Sequence, residues 1–183
     1  MPIPVRASEY SGNLSEFLNG YEYQPKLTPK LDDLEGVNFT PELVNEIVLW
    51  KVNRYVSLDD DQLHRIDALA TLKPGEHRAA GSILRELLDT HGVDLAMAST
   101  FLRFRNPSVF QIIDRHAYRA IYGPEHKMQT TKALKKIEIY FAYIDDLRRL
   151  CESKHLRFET VDRVLYVFDK KKNGSLSKER VGD

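Results

Sequence analysis

Residues 87–123, LLDTHGVDLAMASTFLRFRNPSVFQIIDRHAYRAIYG, decide the fold class. They contain two apolar helical segments joined by a short turn with a glycine, then a loop with a proline, and a third helical segment. On both sides of the turn, apolar residues return at three- and four-residue steps, the spacing of one helix face. The stretch therefore predicts short consecutive helices that pack on one another.

The same periodicity covers most of the remaining chain, and no alternating strand pattern of useful length competes with it. We predict an all-α bundle with a helix-hairpin-helix element, in two packed helical lobes. The apolar stripes place Leu63 and Leu134 on the inward faces of their helices. The expected helices lie within residues 40–55, 57–73, 76–92, 95–104, 114–122, 131–152 and 158–171.

The two ends of the chain differ from this helical middle. Residues 1–38 mix proline, glycine, asparagine and tyrosine without a sustained period, so we expect an arm with turns and one short helix around residues 14–18. Residues 39–173 form the expected helical domain, and residues 174–183 an expected polar tail.

Composition limits the partners and the compartment. Lys and Arg number 27, as do Asp and Glu, so binding to nucleic acid would depend on a local patch. Cys151 is the single cysteine, which excludes an internal disulfide. The start of the chain lacks the pattern of a signal peptide and no apolar run approaches a membrane span, so we expect a cytoplasmic protein without membrane contact.

Asp114 is the residue that most needs an explanation, because it directly follows the apolar pair Ile112 and Ile113. A carboxylate that loses its water costs free energy unless it is paired or hydrogen-bonded. From the residues alone, Asp114 either caps the helix that follows it or has a chemical role.

Residues 87–123 also resemble the helix-hairpin-helix DNA glycosylase superfamily. The resemblance lies in the order and spacing of a hairpin, an alanine-bearing helix, a proline and phenylalanine loop, and an aspartate followed by histidine and arginine. The matching residues are Gly92, Val93, Asp94, Ala98, Pro107, Phe110, Asp114, His116 and Arg119.

The resemblance implies a monofunctional enzyme that excises a base from DNA, with Asp114 as its catalytic carboxylate and His116 and Arg119 as supporting residues. Members that also cleave the backbone carry a lysine where this chain has Ala96, and an amine nucleophile is what that chemistry needs. The usual third hairpin glycine is Asp94 here, and its charge opposes a phosphate.

The DNA contacts implied by the resemblance involve two further sets of residues. The hairpin Gly92, Val93 and Asp94 would approach double-stranded DNA. The expected wedge or phosphate contacts are Asn53, Arg54, Tyr55, Arg103 and Arg105.

Other functions stay open from the sequence. One alternative is a non-catalytic relative that binds nucleic acid or a protein, and another is an enzyme acting on a small nucleoside-like ligand. We expect no cofactor and no metal, because the six histidines form no i, i+4 pair or recognised ligand spacing.

Overall fold

The computed structural model describes residues 13, 24–33, 38–52, 55–123 and 130–173, and all regular secondary structure in these ranges is helical. The predicted all-α fold class is confirmed. Three 3₁₀ turns lie at Leu69–Thr71, His77–Ala80 and Phe158–Thr160. The α-helices are α1 Thr28–Asp32, α2 Pro41–Lys51, α3 Asp60–Ala68, α4 Gly81–Asp89, α5 Leu95–Arg105, α6 Arg115–Tyr122, α7 Ala133–Lys154 and α8 Val161–Lys172.

The chain divides into two compact units, Met1–Tyr55 and Val56–Asp183. The predicted boundary between the N-terminal arm and the helical domain, at residue 39, lies inside the first of these units. No helix within the described ranges is both long and apolar enough to cross a bilayer.

In the first unit, α2 begins as the sequence predicts. Thr40 caps the helix by accepting the backbone N–H of Leu43 at 3.3 Å. The helix ends at Lys51, four residues before the expected end at Tyr55. The short α1 was not predicted, and the helix expected around residues 14–18 lies outside the described residues.

Two side-chain contacts join α1 and α2. The Trp50 indole N–H donates to the hydroxyl of Thr28 at 2.9 Å, and the Lys30 ammonium pairs with Glu46 at 2.6 Å. The Trp50 contact satisfies a polar atom on a large apolar ring.

The second unit contains a continuous apolar core. Its buried residues come from every helix between α4 and α8 and from the loops between them. The hydrophobic residues of this core that have no exposed surface are Ala80, Leu84, Leu87, Ala98, Leu102, Val109, Phe110, Ile113, Ala117, Tyr140, Tyr143, Ile144, Leu147 and Val161. Such a core fixes the relative positions of α4 to α8.

The apolar stripe predicted for α4 is confirmed, since Ile83, Leu84 and Leu87 are buried. The prediction that Leu63 and Leu134 lie on the inward faces of their helices was wrong. Leu63 is 47% exposed and Leu134 is 61% exposed. The helical period identifies one face of a helix but not how far along that face the partner helix extends, and Leu134 lies in the first turn of α7.

Candidate active site

Asp114 is the N-cap residue of α6 and lies where the chain leaves the core. Its backbone is extended, and Oδ1 accepts the backbone N–H of Ala117 at 2.7 Å. A carboxylate here satisfies one of the N–H groups that a helix start leaves unpaired, and it lies at the positive end of the helix dipole. The interpretation of Asp114 as a helix cap is confirmed.

The segment before Asp114 is anchored to α5 through its backbone. Phe110 and Ile113 are fully buried, so their peptide groups need partners inside the protein. The N–H of Ile113 donates to the Ser99 hydroxyl at 3.1 Å, and that hydroxyl donates to the carbonyl of Ala96 at 2.8 Å. The serine therefore fixes the residue immediately before the candidate carboxylate.

Two tyrosines of α7 hold the same segment from the other side. The Tyr140 hydroxyl donates to the carbonyl of Gln111 at 3.1 Å, and the Tyr143 hydroxyl donates to the carbonyl of Ile112 at 3.0 Å. Burial, and to a smaller degree the charge of Asp114, raise the pKa of Tyr143 well above its usual value. Tyr143 therefore stays protonated and remains a donor, and the segment is fixed at three consecutive residues.

The second oxygen of the Asp114 carboxylate, Oδ2, does not take part in the helix cap. Asp114 is partly exposed, and within the described ranges Oδ2 makes no hydrogen bond to the protein. An ionised carboxylate accepts several hydrogen bonds, so Oδ2 can accept one from water or from a ligand. One oxygen thus fixes the side chain while the other remains an acceptor.

His116 and Arg119, which were expected to support Asp114, both bind Asp169 on α8. The ring Nδ1 of His116 lies 2.7 Å from Asp169 Oδ2, and Arg119 donates to the two Asp169 oxygens from Nε at 2.9 and 3.2 Å and from Nη2 at 2.7 Å. Asn173 donates to Oδ1 at 2.7 Å. These residues join α6 to α8, and any influence on Asp114 acts through the helix.

Asp169 is fully buried and is satisfied by this network. Burial by itself would raise the pKa of Asp169, but the hydrogen bonds from Arg119, Asn173 and His116 outweigh it and hold the pKa well below the ordinary 3.8. The sequence offered a signal that was missed. Asp169 lies four residues after the buried Leu165, on the inward face of α8.

The hairpin residues form a tight turn between α4 and α5. Gly92 has φ +80°, a conformation that favours glycine, and the N–H of Val93 donates to the carbonyl of Thr90 at 3.1 Å. Asp94 caps α5 through the N–H of Met97 at 2.9 Å, as its residue type predicts. Gly92 lies inside the turn, since α4 ends at Asp89, three residues before the end of the range predicted for this helix.

The two arginines proposed as phosphate contacts are already engaged. Arg103 is buried, donates to the carbonyl of Glu159 at 2.9 Å and lies 3.7 Å from Asp162. Arg105 Nε lies 3.1 Å from the Asp67 carboxylate and donates to its carbonyl at 3.0 Å. Arg103 is a poor candidate for a DNA contact, because its guanidinium is buried. The charge of Arg105 is partly neutralised by Asp67.

The remaining wedge candidates precede the second unit. Asn53 and Arg54 lie outside the described residues, and Tyr55 is partly exposed at the end of the first unit. In the part of the chain that the structure describes, no three His, Cys, Asp or Glu side chains converge in a way that could hold a metal ion.

The chain matches no family model, no curated protein and no solved structure. Function is therefore inferred from the residues and from the geometry around Asp114.

Proposed function

We propose that this protein is a monofunctional DNA N-glycosylase, which hydrolyses the bond between a base and its deoxyribose with Asp114 as the catalytic carboxylate. One observation carries the proposal. Asp114 is fixed through Oδ1 by a helix N-terminus, while Oδ2 accepts no hydrogen bond from the described protein and lies on a partly exposed residue. The resemblance of residues 87–123 supports the choice of reaction.

The carboxylate suits this reaction. Departure of a base builds positive charge on the sugar ring, and a nearby ionised carboxylate stabilises that charge and can orient or deprotonate the attacking water. Such stabilisation depends on a group that does not need to move during the reaction. The bonds from Ser99, Tyr140 and Tyr143 to residues 111–113 supply that rigidity.

His116 and Arg119 have a positioning role in this proposal. Through Asp169 they fix α6 on α8, and α6 begins at Asp114. Their substitution would therefore change the placement of the carboxylate without removing a group that touches the substrate.

A second candidate function is favoured by a different observation. The cap to Ala117 accounts for Asp114 by itself, and Asp169 accounts for His116 and Arg119. A non-catalytic relative that binds nucleic acid or a protein would keep all of these contacts for stability alone.

A base-release assay separates the two. Purified full-length protein is incubated with duplexes that contain uracil, alkylated purines, oxidised guanine or mismatches, and Asp114→Asn is assayed beside it. Asparagine is as good an N-cap as aspartate, so this variant loses the charge and keeps the helix. Asp59→Asn is the matched control, because Asp59 caps α3 through Gln62 in the same way.

Release of a base by the wild type and by Asp59→Asn, together with loss of release in Asp114→Asn, is the result expected for a glycosylase. Absence of release from every duplex would reject the glycosylase proposal and favour the non-catalytic relative.

A further inference from the structure

The exposed side of α8 carries positive charge only. Both acidic residues of the helix, Asp162 and Asp169, point inward and are at most 4% exposed. The exposed charged residues of α8 are Arg163, Lys170, Lys171 and Lys172. Since the chain as a whole is neutral, this is a local concentration of charge on one helix.

Arg163, Lys170, Lys171 and Lys172 make no salt bridge among the described residues. By contrast, Arg78 pairs with Asp145 at 2.7 Å. An unpaired surface cation is available to an external anion, whereas a paired one must first break its contact.

Two stripes can be distinguished on this exposed side. Arg163, Tyr166 and Lys170, at i, i+3 and i+7, share one face, which we call the basic stripe. The Lys170 ammonium lies 5.0 Å from the centre of the Tyr166 ring. A second, apolar stripe contains Val164, Val167 and Phe168, which are 43–48% exposed.

The basic stripe lies on the side of α8 that meets α6. The Tyr166 ring packs edge-on against the ring of His116, with 5.0 Å between the centres. His116 is two residues after Asp114 in the first turn of α6. The stripe is therefore attached to the same helix start as the candidate carboxylate.

We propose that the basic stripe of α8 binds the sugar-phosphate backbone of double-stranded DNA beside Asp114. This inference rests on the proposed function and names the surface that would hold its substrate. A polyanion fits a stripe of cations without acidic partners in the described part of the chain, and the Tyr166 hydroxyl, which accepts from the Lys170 ammonium at 3.3 Å, still has its own proton to donate to a phosphate oxygen. The hairpin is the poorer surface, because Asp94 places a carboxylate where a phosphate would approach.

Two other partners, a second copy of the chain and an anionic bilayer, fit the exposed side of α8 less well than DNA does. A second copy of α8 would bring cations against cations. An anionic bilayer would use the apolar stripe, which offers three side chains, each less than half exposed. We therefore retain the bilayer as an outcome of the test.

The test is binding of the full-length protein to a short fluorescein-labelled duplex, followed by anisotropy as the salt concentration is raised. The variant is Arg163→Glu with Lys170→Glu. The matched control is Lys132→Glu with Lys135→Glu, which reverses two exposed cations at the start of α7. Circular dichroism checks that both variants remain helical.

We expect the α8 variant to bind DNA at least about tenfold more weakly at low salt. The slope of the logarithm of its binding constant against the logarithm of the salt concentration should also be smaller by about two, because each lost phosphate contact releases about one counterion fewer. The control should stay within about twofold of the wild type. Equal weakening of both variants, or absence of DNA binding by the wild type, would overturn the inference.

Three further outcomes are distinguishable. If the α8 variant keeps its DNA affinity and instead loses binding to vesicles of phosphatidylserine and phosphatidylcholine, the stripe serves a membrane surface and the inference is wrong. If the wild type binds DNA through the stripe and releases no base, the glycosylase proposal fails while the binding surface stands. Base release by a variant with unchanged affinity would overturn the binding surface alone.

Discussion

At the residue scale, Asp114 combines a helix cap with a carboxylate oxygen that has no partner in the described protein. Two substitutions separate the role of the capping hydrogen bond from the role of the negative charge. Asp114→Asn keeps an acceptor for the Ala117 N–H, so its unfolding free energy should lie within a few tenths of a kcal/mol of the wild type. Asp114→Ala loses the acceptor and should cost about 1 kcal/mol. Urea denaturation measures both, and equal stability of the alanine variant would contradict the assigned cap.

Asp169 provides a second test at this scale. Asp169→Asn removes the negative charge that pairs with the mostly buried guanidinium of Arg119. Breaking one partner of a buried pair costs about 3 kcal/mol or more, because the remaining charge stays desolvated. Urea denaturation is again the measurement, and Glu159→Gln is a partly exposed control expected to change stability by less than about 0.5 kcal/mol. A small effect of Asp169→Asn would mean that the network does not fix α6.

The same carboxylate predicts a pH dependence. The pKa of Asp169 is lower in the folded protein than its ordinary 3.8, so its contribution to stability is fully present above that value. It is lost as the pH falls from about 4 toward the lower folded-state pKa. Urea midpoints recorded between neutral pH and the acid range should therefore fall more steeply for the wild type than for Asp169→Asn. Parallel curves would contradict the low pKa.

At the scale of elements, the anchoring of residues 111–113 between α5 and α7 can be tested through Ser99. Ser99→Ala leaves the buried N–H of Ile113 without its acceptor and should cost about 1–3 kcal/mol. Thr100→Ala is the control, because Thr100 makes a similar bond to the carbonyl of Ala96 and, among the described residues, accepts no bond from a loop N–H. Amide hydrogen exchange of Ile113 should accelerate in the serine variant only. Unchanged exchange would show that the loop does not depend on Ser99.

The helices were largely predictable because their signals are local. Thr40, Asp94 and Asp114 are N-cap residues whose type and position mark helix starts, and each has the expected backbone partner. Helix ends were less predictable, as α2 shows, since several residues near Lys51 could continue the helix.

The contacts of His116 and Arg119 could not be predicted from spacing. Asp169 lies 53 residues after His116 and 50 after Arg119, so only the packing of α8 on α6 brings them together. Sequence proximity instead suggested Asp114, which is nearer in the chain but is already bound to the Ala117 N–H. The position of the carboxylate was therefore predictable, whereas its supporting network was not.

At the scale of the whole molecule, the second unit contains a complete core. Among the described residues, the members of this core cluster and the side chains packed against it lie within residues 56–165. We expect a fragment of residues 56–183 to fold alone, since a domain with its own core is independently stable. Its urea unfolding should be cooperative when followed by circular dichroism. A gradual transition, or a fragment without helical signal, would show that residues 1–55 are needed for folding.

The neutral total charge also has a consequence at this scale. Lys and Arg equal Asp and Glu in number, so long-range attraction to DNA is weak and any affinity depends on local surfaces such as the basic stripe. Charge reversal on that stripe should therefore have a larger effect than the same change elsewhere.

The central claim is that Asp114 acts in base release. Its most direct test is the single-turnover rate of release from a duplex that the wild type processes, measured with protein in excess for the wild type and Asp114→Asn. We predict a fall of at least about 100-fold with unchanged DNA affinity and stability, because the variant loses only the charge. A rate within about threefold of the wild type would contradict the claim and leave Asp114 as a helix cap.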